Sequence, residues 1–141
     1  MALLAEHDRQ AIQERLKALT GPVKLVNFTQ ELACPGCRET TQLLGEISPL
    51  SDKITLETYN LAIDRQKVEQ YGIDKVPATI VEGAKDFGIR FYGLPAGFEF
   101  ATLLEDMIAV STGEHGLSPQ TVEKLAKIEK PVHLQVLVTP T

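Results

Sequence analysis

The chain has 141 residues, a formal net charge of −5 and two cysteines, and 43% of its residues are hydrophobic. This length suits one domain with room for part of another, and the hydrophobic fraction is sufficient for a core. The acidic balance argues against nucleic acid or an anionic membrane as a partner, because both select basic surfaces. No apolar run approaches the ~18 residues of a membrane span. The N-terminus turns acidic too early for a signal peptide, so a cytoplasmic protein is expected.

The hydrophobic pattern predicts alternating helices and strands. The first expected elements are a helix over residues 6–19, a buried strand over 23–29 and a helix over 35–48. The next are a strand over 54–59, a helix over 64–71, a strand over 73–81, a strand over 89–92 and a helix over 98–111. The first two strands should be parallel, since a helix joins them. Residues 86–88 are expected to form the turn of a hairpin between the last two strands.

Two further elements are expected near the C-terminus. Ser118 should cap a helix that starts at Pro119, and a strand should cover residues 133–138. Residues 121–134 also resemble residues 12–25, since each stretch contains a helix, a proline and an apolar strand. The similarity indicates an internal repeat, with chance similarity as the alternative.

The cysteines are the most informative residues. They lie in the run Ala33-Cys34-Pro35-Gly36-Cys37, between a predicted strand and a predicted helix. If the helix starts here, Cys34 and Cys37 share one helical face, and their spacing suits a disulfide with Cα atoms about 5.5 Å apart. Pro35 is well suited to a first helical turn. Such a Cys-x-x-Cys motif is typical of a dithiol redox centre.

A metal site is the alternative for the cysteine pair. Zinc generally takes four nitrogen or sulfur ligands, so two cysteines would supply only half a site. His7, His115 and His133 lie far from the motif in the predicted elements. A zinc or iron–sulfur site would therefore have to be shared across a dimer, and we expect no metal and no other bound cofactor.

The order of elements over residues 23–111 resembles the thioredoxin fold, an α/β fold with a central mixed sheet flanked by helices. Two motifs carry the resemblance, Cys34-Pro35-Gly36-Cys37 and Val76-Pro77-Ala78-Thr79. The resemblance implies that Pro77 is cis and faces the dithiol. Thioredoxins usually also have a buried aspartate in the strand beneath the motif, where this chain has Asn27 and Phe28 and no acid. Glu31 is a candidate proton acceptor in its place.

More specifically, the chain resembles the two-unit, glutaredoxin-like protein disulfide oxidoreductases of thermophiles. The resemblance lies in the extra N-terminal helix and in residues 71–79, 90–100 and 138–141. It implies a complete redox unit over residues 1–113, and over residues 114–141 the opening helix and strand of a second thioredoxin-like unit. An unpaired apolar strand there would pair with the first unit's sheet or form a homodimer through the C-terminal strand.

The expected function is that of an enzyme, a thiol–disulfide oxidoreductase that reduces, forms or exchanges protein disulfides. Cys34 would attack the substrate disulfide, because the start of a helix favours a thiolate, and Cys37 would resolve the mixed disulfide. Pro35, Gly36, Val76 and Pro77 would contact the substrate, with the backbone of Val76 pairing with a substrate strand. A thioredoxin-reductase-like flavoprotein would supply electrons.

Two other functions remain open at this stage. One is an electron-relay domain that passes electrons from a flavoprotein to a peroxidase, as in the N-terminal domain of alkyl hydroperoxide reductase flavoproteins, which this chain also resembles. The other is a non-enzymatic dimer module that binds a metal or an iron–sulfur cluster.

Overall fold

The computed structural model describes residues 1–138. The helices are α1 (Glu6–Leu16), α2 (Cys37–Ile47), α3 (Arg65–Tyr71), α4 (Phe98–Thr112) and α5 (Pro119–Leu125). The strands are β1 (Val23–Thr29), β2 (Ile54–Asn60), β3 (Ala78–Glu82) and β4 (Asp86–Tyr92). Every helix and strand predicted before residue 113 is present, although several begin or end at other residues than expected.

The four strands form one mixed sheet in the order β2-β1-β3-β4. Strand β1 runs parallel to β2, from the pair Val23–Ile54 to the pair Thr29–Asn60. This confirms the prediction from the connecting helix α2. Strand β3 is antiparallel to both β1 and β4. The arrangement is the flanked mixed sheet that was expected, with β1 and β3 at its centre.

Helices cover the two faces of the sheet unequally. Side chains alternate between the faces of a strand, and in β1 Val26 and Phe28 point toward α3, where they pack with Tyr71 and Ile73. The intervening apolar residues of β1 join the larger core formed with α1, α2 and α4. Buried members of that core include Ile12, Leu16, Leu25, Leu43, Leu44, Ile47, Leu103 and Met107. Helix α2, which follows the cysteine motif, therefore rests on the more extensive of the two cores.

Strand β3 and the hairpin differ from the prediction. The strand begins at Ala78 instead of residue 73, because Pro77 has no N–H to donate to a ladder. The predicted turn at residues 86–88 was wrong, because these residues belong to β4. The chain turns at Gly83, whose N–H donates to Lys85 O. A Cβ at Gly83 would collide with the carbonyl oxygen of Val110, so packing against α4 selects this position.

The C-terminal part confirms one prediction and corrects another. Helix α5 begins at Pro119, and the Ser118 hydroxyl accepts a hydrogen bond of 3.2 Å from the Thr121 N–H. The strand predicted at 133–138 was wrong, since residues 131–138 have no assigned helix or strand and Leu134 is 86% exposed. A strand needs a hydrogen-bonded neighbour, and within residues 1–138 neither edge of the sheet pairs with this segment. Residues 139–141, part of the resemblance to two-unit enzymes, lie outside the described residues.

Among residues 1–138, no helix combines the length and the apolar character needed to cross a membrane.

Candidate active site

The cysteine motif forms a tight turn at the end of the loop between β1 and α2. Cys34 and Cys37 are joined by a disulfide, and their Cα atoms are 5.5 Å apart. The Cys37 N–H donates to Cys34 O at 3.3 Å, and Gly36 has φ 85° and ψ −8°. These values match the third residue of a type II turn, a position that requires glycine or asparagine and commonly follows proline. The dipeptide Pro35-Gly36 therefore provides the turn that brings the cysteines together.

This turn corrects the predicted start of the helix. Helix α2 begins at Cys37, and Gly36 is its N-cap in the left-handed conformation. Pro35 consequently lies in the turn and not in the first helical turn as predicted. Ala33, which precedes Cys34, also has a positive φ of 53°, and this is uncommon for a residue with a Cβ. The loop is thus bent twice within four residues to present the disulfide.

The two cysteines differ in exposure. Cys34 is partly exposed, whereas Cys37 is 3% exposed and belongs to the buried side of α2. Of the two residues joined by the disulfide, Cys34 is therefore the more exposed.

Pro77 forms one wall beside the motif. The Val76–Pro77 peptide bond is cis, as the resemblance implied, and Pro77 is buried. A Cβ on Gly36 would lie 3.8 Å from Pro77 Cγ and 3.9 Å from Leu94 Cβ, so the turn packs directly against this wall. Val76 is partly exposed, and among residues 1–138 its backbone makes no hydrogen bond with another backbone group. The structure thus brings together Pro35, Gly36, Val76 and Pro77 around the disulfide.

A groove of about 540 Å³ lies beside the disulfide. It is lined by Thr29, Gln30, Glu31, Cys34, Cys37, Arg38, Thr41, Gln42 and Asn60. Glu31, the candidate proton acceptor, is exposed and lines the same groove as both cysteines. Sequence reasoning did not find the contributions of Arg38, Gln42 and Asn60, because they come from separate elements and follow no motif.

The strand beneath the motif holds a buried polar residue at Asn27, in the strand where thioredoxins usually have a buried aspartate. Asn27 is fully buried, and its Nδ2 donates a hydrogen bond of 2.9 Å to Thr41 Oγ1 on α2. Phe28 points to the opposite face, where its ring centroid lies 5.6 Å from that of Tyr59. The side chain that faces the cysteine-bearing helix is thus a neutral amide.

The N-terminal segment is attached to the same helix. The backbone N–H groups of Leu3 and Leu4 donate to the Glu46 carboxylate, each at 2.9 Å, and Gln42 Nε2 donates to Met1 O at 2.6 Å. Hydrogen bonds lower the pKa of Glu46 to about 2. The bond from the Leu3 N–H has the largest effect, followed by those from the Leu4 N–H and the Gln42 side chain. Since Gln42 also lines the groove, the N-terminus helps to hold one of its walls.

Within the described part of the chain, histidine, cysteine, aspartate and glutamate side chains form no group of three or more that could hold a metal ion.

Comparison with known proteins gives a consistent set of relatives. No protein-family model matches the chain. A probable thioredoxin from Methanothermobacter marburgensis is 32% identical over 87 residues, which make up 61% of this chain and 96% of that protein.

Two solved structures resemble the chain closely in fold. A protein disulfide oxidoreductase from Aeropyrum pernix superposes with a TM-score of 0.80 at 26% identity, covering 90% of this chain and 56% of the other. An N-terminal domain of alkyl hydroperoxide reductase AhpF from Enterococcus faecalis gives a TM-score of 0.76 at 28% identity, covering 86% and 59%. This chain therefore spans little more than half the length of either structure.

The relatives agree with the site. The near-complete coverage of a thioredoxin, the mixed sheet and the Cys34–Cys37 disulfide beside a cis-proline all indicate the same assignment. The chain belongs to the thioredoxin family and is a thiol–disulfide oxidoreductase.

Proposed function

We propose that this protein exchanges disulfides with protein substrates through Cys34 as the nucleophile and Cys37 as the resolving cysteine. The observation that carries the proposal is the difference in exposure within one disulfide, with Cys34 at the surface and Cys37 3% exposed at the start of α2. Exchange with another molecule would then take place at the sulfur of Cys34. An external thiolate would attack this sulfur, or the Cys34 thiolate would attack an external disulfide.

The reducing reaction has two steps. The thiolate of Cys34 attacks one sulfur of the substrate disulfide, forming a mixed disulfide, and the other substrate sulfur leaves with the electron pair and takes a proton from solvent. Cys37, after losing its proton, attacks Cys34, so the Cys34–Cys37 disulfide forms and the second substrate sulfur leaves. Two electrons pass from the enzyme to the substrate, and the reverse sequence oxidises a substrate dithiol.

Helix α2 supports the negative charge on Cys34. Gly36 supplies no side-chain cap, so the first N–H groups of α2 are not capped by the side chain of the preceding residue. Unpaired N–H groups and the helix dipole favour an anion at this end. Arg38 lines the groove with both cysteines and adds a positive charge there. These groups make Cys34 the sulfur better suited to carry a thiolate.

The wall formed by Val76 and Pro77 is the proposed docking edge for the substrate chain. The backbone of Val76 makes no backbone hydrogen bond within residues 1–138, whereas Pro77 O accepts one of 2.9 Å from the Gly93 N–H. An extended substrate segment can pair with free backbone groups by adding a strand. Pro35 and Gly36 would complete the contact on the other side of the exposed sulfur.

The roles of the cysteines can be separated with insulin as the disulfide substrate. Cys34→Ser should abolish reduction, and Cys37→Ser should accumulate a mixed disulfide visible on a non-reducing gel. Thr55→Ser is the control and should retain turnover, because Thr55 is exposed and pairs with Lys24 at the end of β1 that is remote from the motif. Turnover in Cys34→Ser, or a mixed disulfide held by Cys37 in that variant, would show that the roles are assigned wrongly.

A second candidate function is an electron relay to a peroxidase. It is favoured by the similarity to the N-terminal domain of alkyl hydroperoxide reductase AhpF. Electrons would enter from a flavoprotein and leave to a peroxidase through the same disulfide. Measuring reduction of insulin, glutathione mixed disulfides and a peroxiredoxin side by side distinguishes the two, because a relay should strongly prefer the peroxiredoxin.

The wider organisation is also a proposal. We infer a redox unit over residues 1–113 and the start of a second thioredoxin-like unit over residues 114–141, in a cytoplasmic protein recharged by a thioredoxin-reductase-like flavoprotein. Support comes from exposed apolar side chains in α5 and just after it, with Val122 at 41%, Leu125 at 49% and Ile128 at 51%. The C-terminal segment would pair with the sheet of the first unit or form a homodimer. Residues 131–138 should then resist proteolysis at high protein concentration.

A further inference from the structure

Three buried oxygen atoms lie on the cysteine-bearing side of the sheet without hydrogen-bond partners. They are Asn27 Oδ1, Thr40 Oγ1 and Thr79 Oγ1, and none has a partner among residues 1–138. All three residues are fully buried. Buried polar atoms in native proteins are nearly always hydrogen-bonded, so three of them in one region require an explanation.

The topology brings these residues to one place. Asn27 on β1 and Thr79 on β3 are directly opposed in the antiparallel register, so their side chains share one face of the sheet. The hydrogen bond from Asn27 to Thr41 shows that this face points toward α2. Thr40 is the neighbour of Thr41 on that helix and lies on its buried side.

Cys37 is on the same side of α2 as this group. It precedes Thr40 by three residues, and both residues belong to the buried side of the helix. Helical side chains lean toward the N-terminus of their helix, so Thr40 leans toward Cys37. The buried side of α2 therefore carries both the Cys37 sulfur and the Thr40 hydroxyl toward the face of the sheet that holds Asn27 and Thr79.

The chemistry of the group suits a single water molecule. Asn27 Oδ1 can only accept a hydrogen bond, whereas each threonine hydroxyl can donate one and accept others. A buried water typically makes about three hydrogen bonds to polar groups that otherwise lack partners. One water donating to Asn27 and bonded to both hydroxyls would satisfy all three oxygens and leave a donor for a fourth group.

We propose that Asn27, Thr40 and Thr79 form an uncharged pocket that binds one water molecule beneath Cys37, and that this water donates its remaining hydrogen bond to the Cys37 thiolate. The proposal rests on the function proposed above, in which Cys37 resolves the mixed disulfide. Burial disfavours a thiolate, and hydrogen bonds donated to it offset this cost. These residues act as positioning residues, since they adjust the reactivity of Cys37 without touching the substrate.

The surroundings of Cys37 make the effect measurable. The charged groups that line its groove are Glu31 and Arg38, and both are exposed. On the buried side, β1 and β3 contribute Asn27 and Thr79, α2 contributes Thr40, and all three side chains are uncharged. During resolution the Cys37 thiol releases its proton to solvent through the groove, its sulfur bonds to Cys34, and the substrate sulfur leaves with the electron pair.

The test follows Cys37 alone. In a Cys34→Ser background Cys37 is the single thiol of the chain, and its ionisation is read from thiolate absorbance as a function of pH. Adding Thr40→Val or Thr79→Val keeps the shape and removes the hydroxyl, and the midpoint should rise by about one pH unit. Ile80→Val is the control, because Ile80 follows Thr79 but belongs to the core on the opposite face. It should leave the midpoint unchanged.

A rate measurement separates this role from a purely structural one. With both cysteines present, Thr79→Val should slow resolution at pH 7 about tenfold, as expected for a one-unit rise in the ionisation midpoint. Formation of the mixed disulfide, measured in a Cys37→Ser background, should not change. An unchanged midpoint in both threonine variants would overturn the proposal, and so would a high-resolution crystal structure with no water bonded to Asn27 Oδ1.

The outcomes also distinguish the two proposals. If the wild-type protein reduces no disulfide, the proposed function fails, but the titration of Cys37 still reports on the pocket. If the enzyme is active and the titration is insensitive to both threonines, only the pocket is refuted.

Discussion

Each face of strand β1 carries a cluster of polar side chains. The two clusters differ in whether their polar atoms have hydrogen-bond or ion-pair partners. Near the start of the strand, Lys24 Nζ contacts Glu82 Oε2 at 2.7 Å and donates to the Tyr71 hydroxyl at 3.1 Å, on the face covered by α3. Near the end of the strand, Asn27 and its neighbour Thr79 face α2 with unpartnered oxygens. The charged cluster is thus paired within the described residues, and the neutral cluster is not.

This difference suits different roles, in which the charged cluster stabilises the fold and the neutral cluster acts on the redox site. A buried charge without a partner is too costly to retain, so Lys24 and Glu82 must remain together. The hydrogen bonds to Glu82 and then to Tyr71 raise the pKa of Lys24 above its ordinary value. The stability that this ion pair contributes to the folded protein is therefore fully present below about pH 10.5, the ordinary pKa of lysine. It is lost only as pH rises through the raised pKa of Lys24. A neutral cluster costs less when incompletely bonded, and this one faces the helix that begins at Cys37.

The largest expected effect comes from breaking the charged cluster. Lys24→Met leaves Glu82 buried and unpaired, and should lower the free energy of unfolding by about 2 kcal/mol in urea titrations. This is less than the roughly 3–5 kcal/mol for fully buried pairs, because the Lys24 side chain is 31% exposed.

The double variant Lys24→Met/Glu82→Leu is the control for that change. It removes both charges and should recover most of the lost stability, since an apolar pair can replace a buried ion pair at little cost. A single variant as stable as wild type would show that the Lys24–Glu82 pair contributes nothing.

A smaller effect is expected from the neutral cluster. Thr79→Val should change the free energy of unfolding of the oxidised protein by less than about 1 kcal/mol, because the lost hydroxyl has no protein partner to leave unpaired. The same urea titration measures it. A loss as large as that of Lys24→Met would mean that both clusters serve stability and would remove the contrast between them.

The smallest effect is local and tests a third polar contact, on the outer side of α2. The pKa of Glu46 is lowered to about 2 by the N–H groups of Leu3 and Leu4, with Leu3 first. A lowered pKa gives a contribution that is present above the ordinary value of about 4.5 and is lost as pH falls toward 2. The amide proton shifts of Leu3 and Leu4 in NMR spectra should therefore titrate with a midpoint near 2.

Glu46→Gln is the matched variant for this titration. Its amide does not titrate, so the shifts of Leu3 and Leu4 should stay constant between pH 5 and 2. A midpoint near 4.5 in the wild type would show that the N-terminal segment is not held by this carboxylate.

Much of this architecture could be predicted from local pattern. Strand β1 was expected at residues 23–29 and is found at Val23–Thr29, because a continuous apolar run bounded by a proline and polar residues has few other interpretations. The helix after Asp64 and the helix capped by Ser118 were likewise readable from capping and stop signals. The redox motif was evident because it holds the only two cysteines.

Features that depend on long-range packing were missed. The hairpin turn was expected at residues 86–88 but lies at Gly83, because α4 approaches there so closely that a Cβ does not fit. The strand expected at 133–138 does not form, because a strand depends on a hydrogen-bonded neighbour that its own sequence does not supply.

For the active site, the amino-acid sequence was sufficient to identify Cys34 and Cys37 as a redox pair and, by resemblance, Pro77 as its cis-proline wall. Only the tertiary structure showed that Pro35 and Gly36 form a type II turn and that buried oxygens from three elements lack hydrogen-bond partners among residues 1–138. The physical reason is distance along the chain. Turn and helix propensities act over a few neighbouring residues, whereas Asn27, Thr40 and Thr79 are brought together by the pairing of β1 with β3 and the packing of α2 on both.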